Sequence, residues 1–85
     1  MGMNRTLNEL RPGESATVRG LSPDGSRNIA RRLMDIGLTG GARVKYLFSA
    51  PSGEPRAYLI RGAVIALRAE DAALVSTRAE SEGSV

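Results

Sequence analysis

The sequence contains no cysteine, no histidine and no tryptophan. Without cysteine there are no disulfides and no thiolate metal sites, and without histidine there is no imidazole ligand and no general base that titrates near neutral pH. Aromatic residues are scarce, since Tyr46, Phe48 and Tyr58 are the complete set. We therefore expect an aliphatic core, and we predict no metal site and no cofactor.

Apolar runs in the chain are short, and none approaches the roughly 20 residues that a membrane-spanning helix needs. The 85 residues are enough for one small domain. We predict a flexible N-terminus at residues 1–5, whose Met-Gly-Met start resembles a cloning scar. A single domain is predicted at residues 6–78 and a disordered tail at 79–85.

The charge is unbalanced towards cations, with 12 basic and 9 acidic residues and a formal net charge of +3. All but one of the basic residues are arginine. An arginine excess favours an anionic partner, which could be an acidic protein surface or a nucleic acid.

Alternation of apolar and polar residues predicts short strands at 15–21, 42–49, 56–61, 63–68 and 74–78, and residues 6–10 form an edge strand or a turn. In the strand at 42–49, Val44, Tyr46 and Phe48 share a face that we assign to the core. One amphipathic helix is predicted at about 27–36, with Asp24 or Ser26 as its N-cap, and a short helical turn near 69–73. This pattern predicts a mainly β fold of five or six short strands with one inserted helix, closed or nearly closed as a barrel.

Four residues are predicted to be structural. Gly37 supplies the left-handed end of the helix, and Leu38 packs back onto the buried Leu33 in a Schellman motif. Gly62 lies between two apolar strands and indicates a tight turn or a sharp bend.

The helix also has a candidate docking edge. Met34 lies at one rim of the apolar arc beside Arg27 and Arg31, and Arg32 flanks the other rim. Methionine adapts to irregular partner surfaces and arginine pairs with carboxylates, so these four residues are our predicted partner-binding set. The alternative is an ordinary solvated helix face, with Met34 covered by a nearby loop.

Five segments in order, LRPGE, RRLMDIGLTGGARV, APSGEP, RGAVIALR and EDAALV, resemble the FeoA family. The resemblance implies an SH3-like β-barrel with an inserted helix. It also implies a cytoplasmic protein that binds FeoB, the membrane ferrous-iron transporter with a GTPase domain. Such a protein would be recruited to the inner face of the membrane through FeoB, without direct insertion into the bilayer. A similar module forms the C-terminal domain of some iron-dependent repressors.

Two functions remain open. The first is a non-enzymatic accessory protein of ferrous iron uptake, which binds the cytosolic part of FeoB and modulates its assembly or activity. Such a protein does not bind nucleic acid. An enzyme is disfavoured because the sequence has no Ser-His or Cys-His pair, no phosphate loop and no zinc spacing. The second is a small basic β-barrel that binds nucleic acid. Single-strand binders stack bases on aromatic side chains, whereas Tyr46 and Phe48 are assigned to the core.

Overall fold

A single antiparallel sheet of six strands, in the order β1-β6-β2-β3-β4-β5, forms most of the molecule. The computed structural model describes residues 4–79. The strands are β1 (Asn4–Thr6), β2 (Ser15–Leu21), β3 (Arg43–Ser49), β4 (Arg56–Ile60), β5 (Ala63–Leu67) and β6 (Val75–Ala79). Helix α1 (Arg27–Asp35) is inserted between β2 and β3, and the short α2 (Ala69–Ala72) lies between β5 and β6. The predicted mainly β fold with one inserted helix is confirmed.

The two ends of the domain differ from the predicted boundaries. Strand β1 begins at Asn4, before the predicted start at residue 6, because it pairs with β6. A 3₁₀ helix (Leu7–Glu9) then replaces the predicted strand or turn at 6–10. Strand β6 extends to Ala79, the first residue of the predicted tail. The rest of the predicted flexible ends, residues 1–3 and 80–85, lies outside the described residues.

The sheet curls so that strands far apart in its order come together. The hydroxyl of Tyr58, on β4, donates a hydrogen bond to the carbonyl of Leu7 just beyond β1, at 3.4 Å. Arg56 Nη1 donates to the neighbouring carbonyl of Asn8 at 2.8 Å. Burial raises the pKa of the Tyr58 hydroxyl, because an ionised oxygen would lose its hydration there. These contacts hold β4 against the N-terminal segment and enclose the core.

The core is largely aliphatic, as expected, with two tyrosines added. The ring centroids of Tyr46 and Tyr58 lie 5.3 Å apart. Around them pack the buried side chains Leu7, Leu10, Ala16, Val18, Leu33, Leu38, Ala42, Val44, Ile60, Leu67, Ala72 and Val75.

Phe48 lies outside this core, so its assignment to the core is wrong. The register between β3 and β4 shifts after Tyr46, which pairs with Tyr58, so that Phe48 pairs with Ala57. The extra residue, Leu47, forms a bulge that moves the following side chain to the other face of the sheet. Phe48 is consequently 61% exposed.

Replacing Leu33 by alanine should lower the free energy of unfolding by about 2–5 kcal/mol, because the side chain is 2% exposed and its removal leaves a cavity. The measurement is urea unfolding followed by circular dichroism. The matched control is Met34→Ala in the same helix, which removes an exposed side chain and should cost less than about 0.5 kcal/mol. Equal unfolding midpoints for the two variants would contradict the prediction.

A second prediction concerns Glu14, at the turn before β2. Its carboxylate accepts a hydrogen bond from the Arg11 backbone N–H at 2.6 Å and pairs with Arg5 at 3.4 Å, and these contacts lower the pKa of Glu14 from its ordinary 4.5. The stabilisation is therefore fully present above about pH 4.5 and is lost as the pH falls through the lowered pKa. Glu14→Gln should unfold more easily at neutral pH and lose less stability on acidification. A stability difference from wild type that does not change with pH would contradict this.

Candidate functional site

Helix α1 begins at a side-chain cap and presents Arg27 as its first residue. The hydroxyl of Ser26 accepts a hydrogen bond from the backbone N–H of Ile29 at 3.2 Å, so Ser26 is the N-cap. Asp24, the other predicted N-cap, does not cap the helix. The cap fixes the first turn of the helix and with it the position of Arg27.

The C-terminal end of α1 is a Schellman motif, as predicted. The N–H of Gly37 donates to the carbonyl of Met34 and the N–H of Leu38 donates to the carbonyl of Leu33, both at 3.0 Å. Gly37 has φ +105°, a conformation that glycine adopts without strain. Leu33 and Leu38 are both buried, whereas the adjacent Met34 is 52% exposed.

Gly62 lies in the two-residue turn that joins β4 to β5. Arg61 and Gly62 both have positive φ, as a type I′ hairpin turn requires. Gly62 is exposed, so its contribution is through backbone conformation and not through packing in the core. The Arg61 side chain reaches back to the end of α1, donating to the Gly37 carbonyl at 3.2 Å and to the Thr39 hydroxyl at 2.9 Å.

Met34 and Arg27 border a groove of about 390 Å³, which we call the α1 groove. One wall is α1, with Ala30 between these two residues. The other walls come from the chain between residues 20 and 26 and between 38 and 40. Because half of Met34 remains exposed, the neighbouring loop does not cover it. The groove combines an apolar floor with one cation at its rim.

The four predicted docking residues do not form one continuous edge. Arg27 and Met34 meet at the α1 groove, and Arg31 is exposed. Arg32 lies on a different side of the helix, where its Nη2 is 3.8 Å from a carboxylate oxygen of Asp71 in α2. Five positions along a helix rotate a side chain by about 140°, which explains the separation. The partner-binding role of all four residues stays a prediction.

The described residues offer little for other chemistry. Between residues 4 and 79, no three acidic side chains lie close enough to hold a metal ion. No helix in this part of the chain is long and apolar enough to cross a membrane.

A family model described as the FeoA domain matches residues 5–79. The chain belongs to the FeoA family. The comparison with curated proteins gives no match.

Solved structures support the family and the fold. A FeoA-like protein from Clostridium acetobutylicum is 27% identical, with a TM-score of 0.85 over 100% of this chain and 96% of that one. FeoA of Stenotrophomonas maltophilia, complexed with zinc, is 32% identical, with a TM-score of 0.76 over 85% and 87% of the two chains. That protein is described as a procaryotic SH3 domain protein with a suggested role as a ferrous iron transport activating factor. The predicted SH3-like fold is thus confirmed.

A manganese-dependent transcriptional repressor shares the fold alone. It is 21% identical, with a TM-score of 0.81, and the match covers 94% of this chain and 44% of that one.

Gly37→Ala should destabilise the protein by about 1 kcal/mol or more, because an alanine at φ +105° is strained. Its Cβ would also lie 2.9 Å from Cδ of Arg61 and 3.3 Å from Cγ2 of Ile60. Thermal unfolding measures the effect. Gly20→Ala is the control, since no atom lies within 4 Å of its Cβ and its φ is not positive. If Gly37→Ala unfolded at the temperature of Gly20→Ala, the left-handed helix end would not be required.

Proposed function

We propose that this protein is a cytoplasmic, non-enzymatic accessory protein of ferrous iron uptake. In this proposal it binds the cytosolic part of a FeoB-type transporter with a GTPase domain and modulates its assembly or activity. Membership of the FeoA family supports a role in ferrous iron uptake. The role suggested for the Stenotrophomonas maltophilia relative, a ferrous iron transport activating factor, supports the accessory character.

The exposed Met34 at the α1 groove is the observation that carries the choice of surface. A half-exposed methionine beside a groove can adapt to an apolar side chain of a partner. Arg27 at the rim can then pair with a carboxylate next to that side chain. A segment with one apolar anchor and one acidic neighbour fits this arrangement. Arg31 and Arg32 remain candidates for contacts beyond the groove.

The experiment is co-purification of the tagged full chain with its transporter from detergent-solubilised membranes. Met34→Ser and Arg27→Glu should each reduce the retained transporter by about tenfold, the usual effect of losing an interface anchor. Arg32→Glu makes the same charge change on another side of α1. Its effect therefore tells whether that side of the helix also takes part in binding.

The charge-matched control is Arg11→Glu, in an exposed turn that does not line the α1 groove, and it should retain the transporter as wild type does. Loss with Arg27→Glu but not with Arg32→Glu would assign binding to the α1 groove. Full retention by all helix variants would refute the helix edge, and failure of wild type to retain a membrane GTPase would refute the accessory function.

Nucleic-acid binding is the second candidate, and the exposed Phe48 gives it one favourable observation. However, Tyr46 and Tyr58 are buried, so one aromatic side chain alone is available for stacking in the described residues. Binding to single-stranded DNA would weaken steeply with salt. Retention of the transporter in salt that abolishes DNA binding would favour the accessory function.

A further inference from the structure

Strand β5 forms one edge of the sheet, and within residues 4–79 no other strand pairs with its outer side. Its sequence, Ala-Val-Ile-Ala-Leu, includes no charge and no proline, and its pairing with β4 has no bulge. Natural sheets protect an edge with lysine, proline, a bulge or a very short strand, because unpaired backbone groups there attract another strand. The opposite edge, β1, is short and contains Arg5, whereas β5 has none of these protections.

The outer face of β5 is accessible to a partner. Val64 and Ala66 are exposed, and the exposed fraction of Val64 is 61%. Ile65 is half-buried and Leu67 is buried, so alternate side chains of the strand point towards the core.

The β4–β5 hairpin determines which backbone groups of β5 point outwards. In a hairpin with a two-residue turn, the pair next to the turn is hydrogen-bonded, and such pairs alternate with non-hydrogen-bonded pairs along the strands. Ile60 and Ala63 form that first pair, so every second residue of β5 from Ala63 onwards directs its N–H and C=O groups towards β4. Val64 and Ala66 therefore direct theirs towards the free edge.

We propose that β5 pairs with β5 of a second copy of this chain, antiparallel and about a two-fold axis beside Ile65. In this register Val64 of each copy lies opposite Ala66 of the other, as a hydrogen-bonded pair. The outward-pointing N–H and C=O groups of both strands then all find partners. Strand β5 is thus complementary to itself in its backbone.

The same pairing extends the apolar outer face of the sheet across the interface. Val64 lies beside Leu59 of β4, and Phe48 of β3 points to the same side because it pairs with Ala57, two residues before Leu59. Leu59 is 36% exposed and Phe48 is 61% exposed. In the dimer Val64 contacts Ala66 of the second copy on this face, and apolar surface is removed from water.

Charge does not oppose the pairing, although each copy is cationic overall. The strand has no charged side chain, and Arg61 before it is held at the end of α1 by the Gly37 carbonyl and the Thr39 hydroxyl. Arg68 after the strand lies opposite Gly62 of the second copy in this register. No like charges therefore lie directly opposite each other across the joined strands.

A second copy is favoured over an extended segment of another protein because its strand is already ordered. A flexible segment would lose conformational entropy on pairing, whereas β5 is held by β4 before it pairs. One strand pair with its adjacent side chains is a small interface, so we expect a dimer that dissociates on dilution. This self-association is separate from the transporter contact proposed at the α1 groove.

The first experiment is sedimentation velocity of the purified full chain over about a hundredfold range of concentration. Wild type should shift from monomer to dimer as the concentration rises. Ala66→Pro removes an outward N–H that β4 does not use, so it should fold and should weaken dimerisation by about tenfold or more. Phe48→Ser is the control, since it removes an exposed apolar side chain two strands from the edge, and it should dimerise as wild type does.

Disulfide trapping tests the register, because the chain contains no cysteine of its own. Ile65→Cys places a cysteine opposite its copy at a Cα separation of about 4.5 Å, which a disulfide can bridge. Ala63→Cys is the matched control on the same strand and face, since its copy lies about 13 Å away along the strand. Under mild oxidation, Ile65→Cys should form covalent dimer about tenfold faster than Ala63→Cys.

Thermal unfolding checks that each variant is folded. If Ala66→Pro does not fold, Ala66→Lys replaces it, because its exposed charge would lie against Val64 of the second copy. If Ile65→Cys does not fold, a mixture of Val64→Cys and Ala66→Cys chains replaces it, since these two positions lie opposite each other in the proposed register.

Four results would overturn the proposal. The first is a wild-type chain that stays monomeric at every concentration, and the second is equal trapping of Ile65→Cys and Ala63→Cys. The third is loss of the dimer with Phe48→Ser but not with Ala66→Pro, which would mean that two sheets pack face to face. The fourth is dimerisation only after removal of residues 80–85, which would assign the β5 edge to the chain's own C-terminal segment.

These measurements use the purified chain alone, so a negative result leaves the proposed accessory function untouched. If the chain is monomeric and Ala66→Pro nevertheless loses the transporter in the co-purification, the β5 edge takes an extended segment of the transporter instead of a second copy.

Discussion

The reversal of the chain at Gly37 is the constraint on which the arrangement of helix and sheet depends. It brings Leu38 back onto Leu33, and the two side chains enter the core together. Met34, one residue further along the helix, points to another side of α1 and is half-exposed. Arg61 then binds the carbonyl of Gly37, so the β4–β5 turn is attached to the helix end at this point. The left-handed backbone at Gly37 thus joins the packed side of α1 to the sheet through Leu38 and Arg61.

The few aromatic side chains determine how the sheet closes around the core. Two of the three, Tyr46 and Tyr58, lie in the core, where Arg56 stacks on the Tyr46 ring at 5.1 Å and both Arg56 and Tyr58 bind the N-terminal segment. With this closure provided by β4, the sheet can curl without a continuous hydrogen-bonded ladder around the barrel. The bulge after Tyr46 turns the third aromatic, Phe48, outwards. The bulge therefore adds Phe48 to the exposed apolar side chains of the sheet.

Most of the fold was predictable because it is encoded locally. Helix α1, its stop at Gly37 and the packing of Leu38 on Leu33 each depend on a few adjacent residues, and the strands follow from alternation. Phe48 could not be placed, because alternation assumes unbroken register and a bulge is specified by both paired strands. Strand β1 was missed because its three residues acquire their conformation from β6. Neither feature has a signal in its own segment.

The candidate site was less predictable than the fold, because the contacts of its charged side chains depend on residues far away in the sequence. Helix periodicity directed attention to the arginines of α1, yet Arg32 lies near Asp71 of another helix, which no local pattern indicates. Charge nevertheless follows secondary structure between residues 4 and 79: the strands contain cations and no carboxylate, whereas the acidic residues lie in helices, turns and loops.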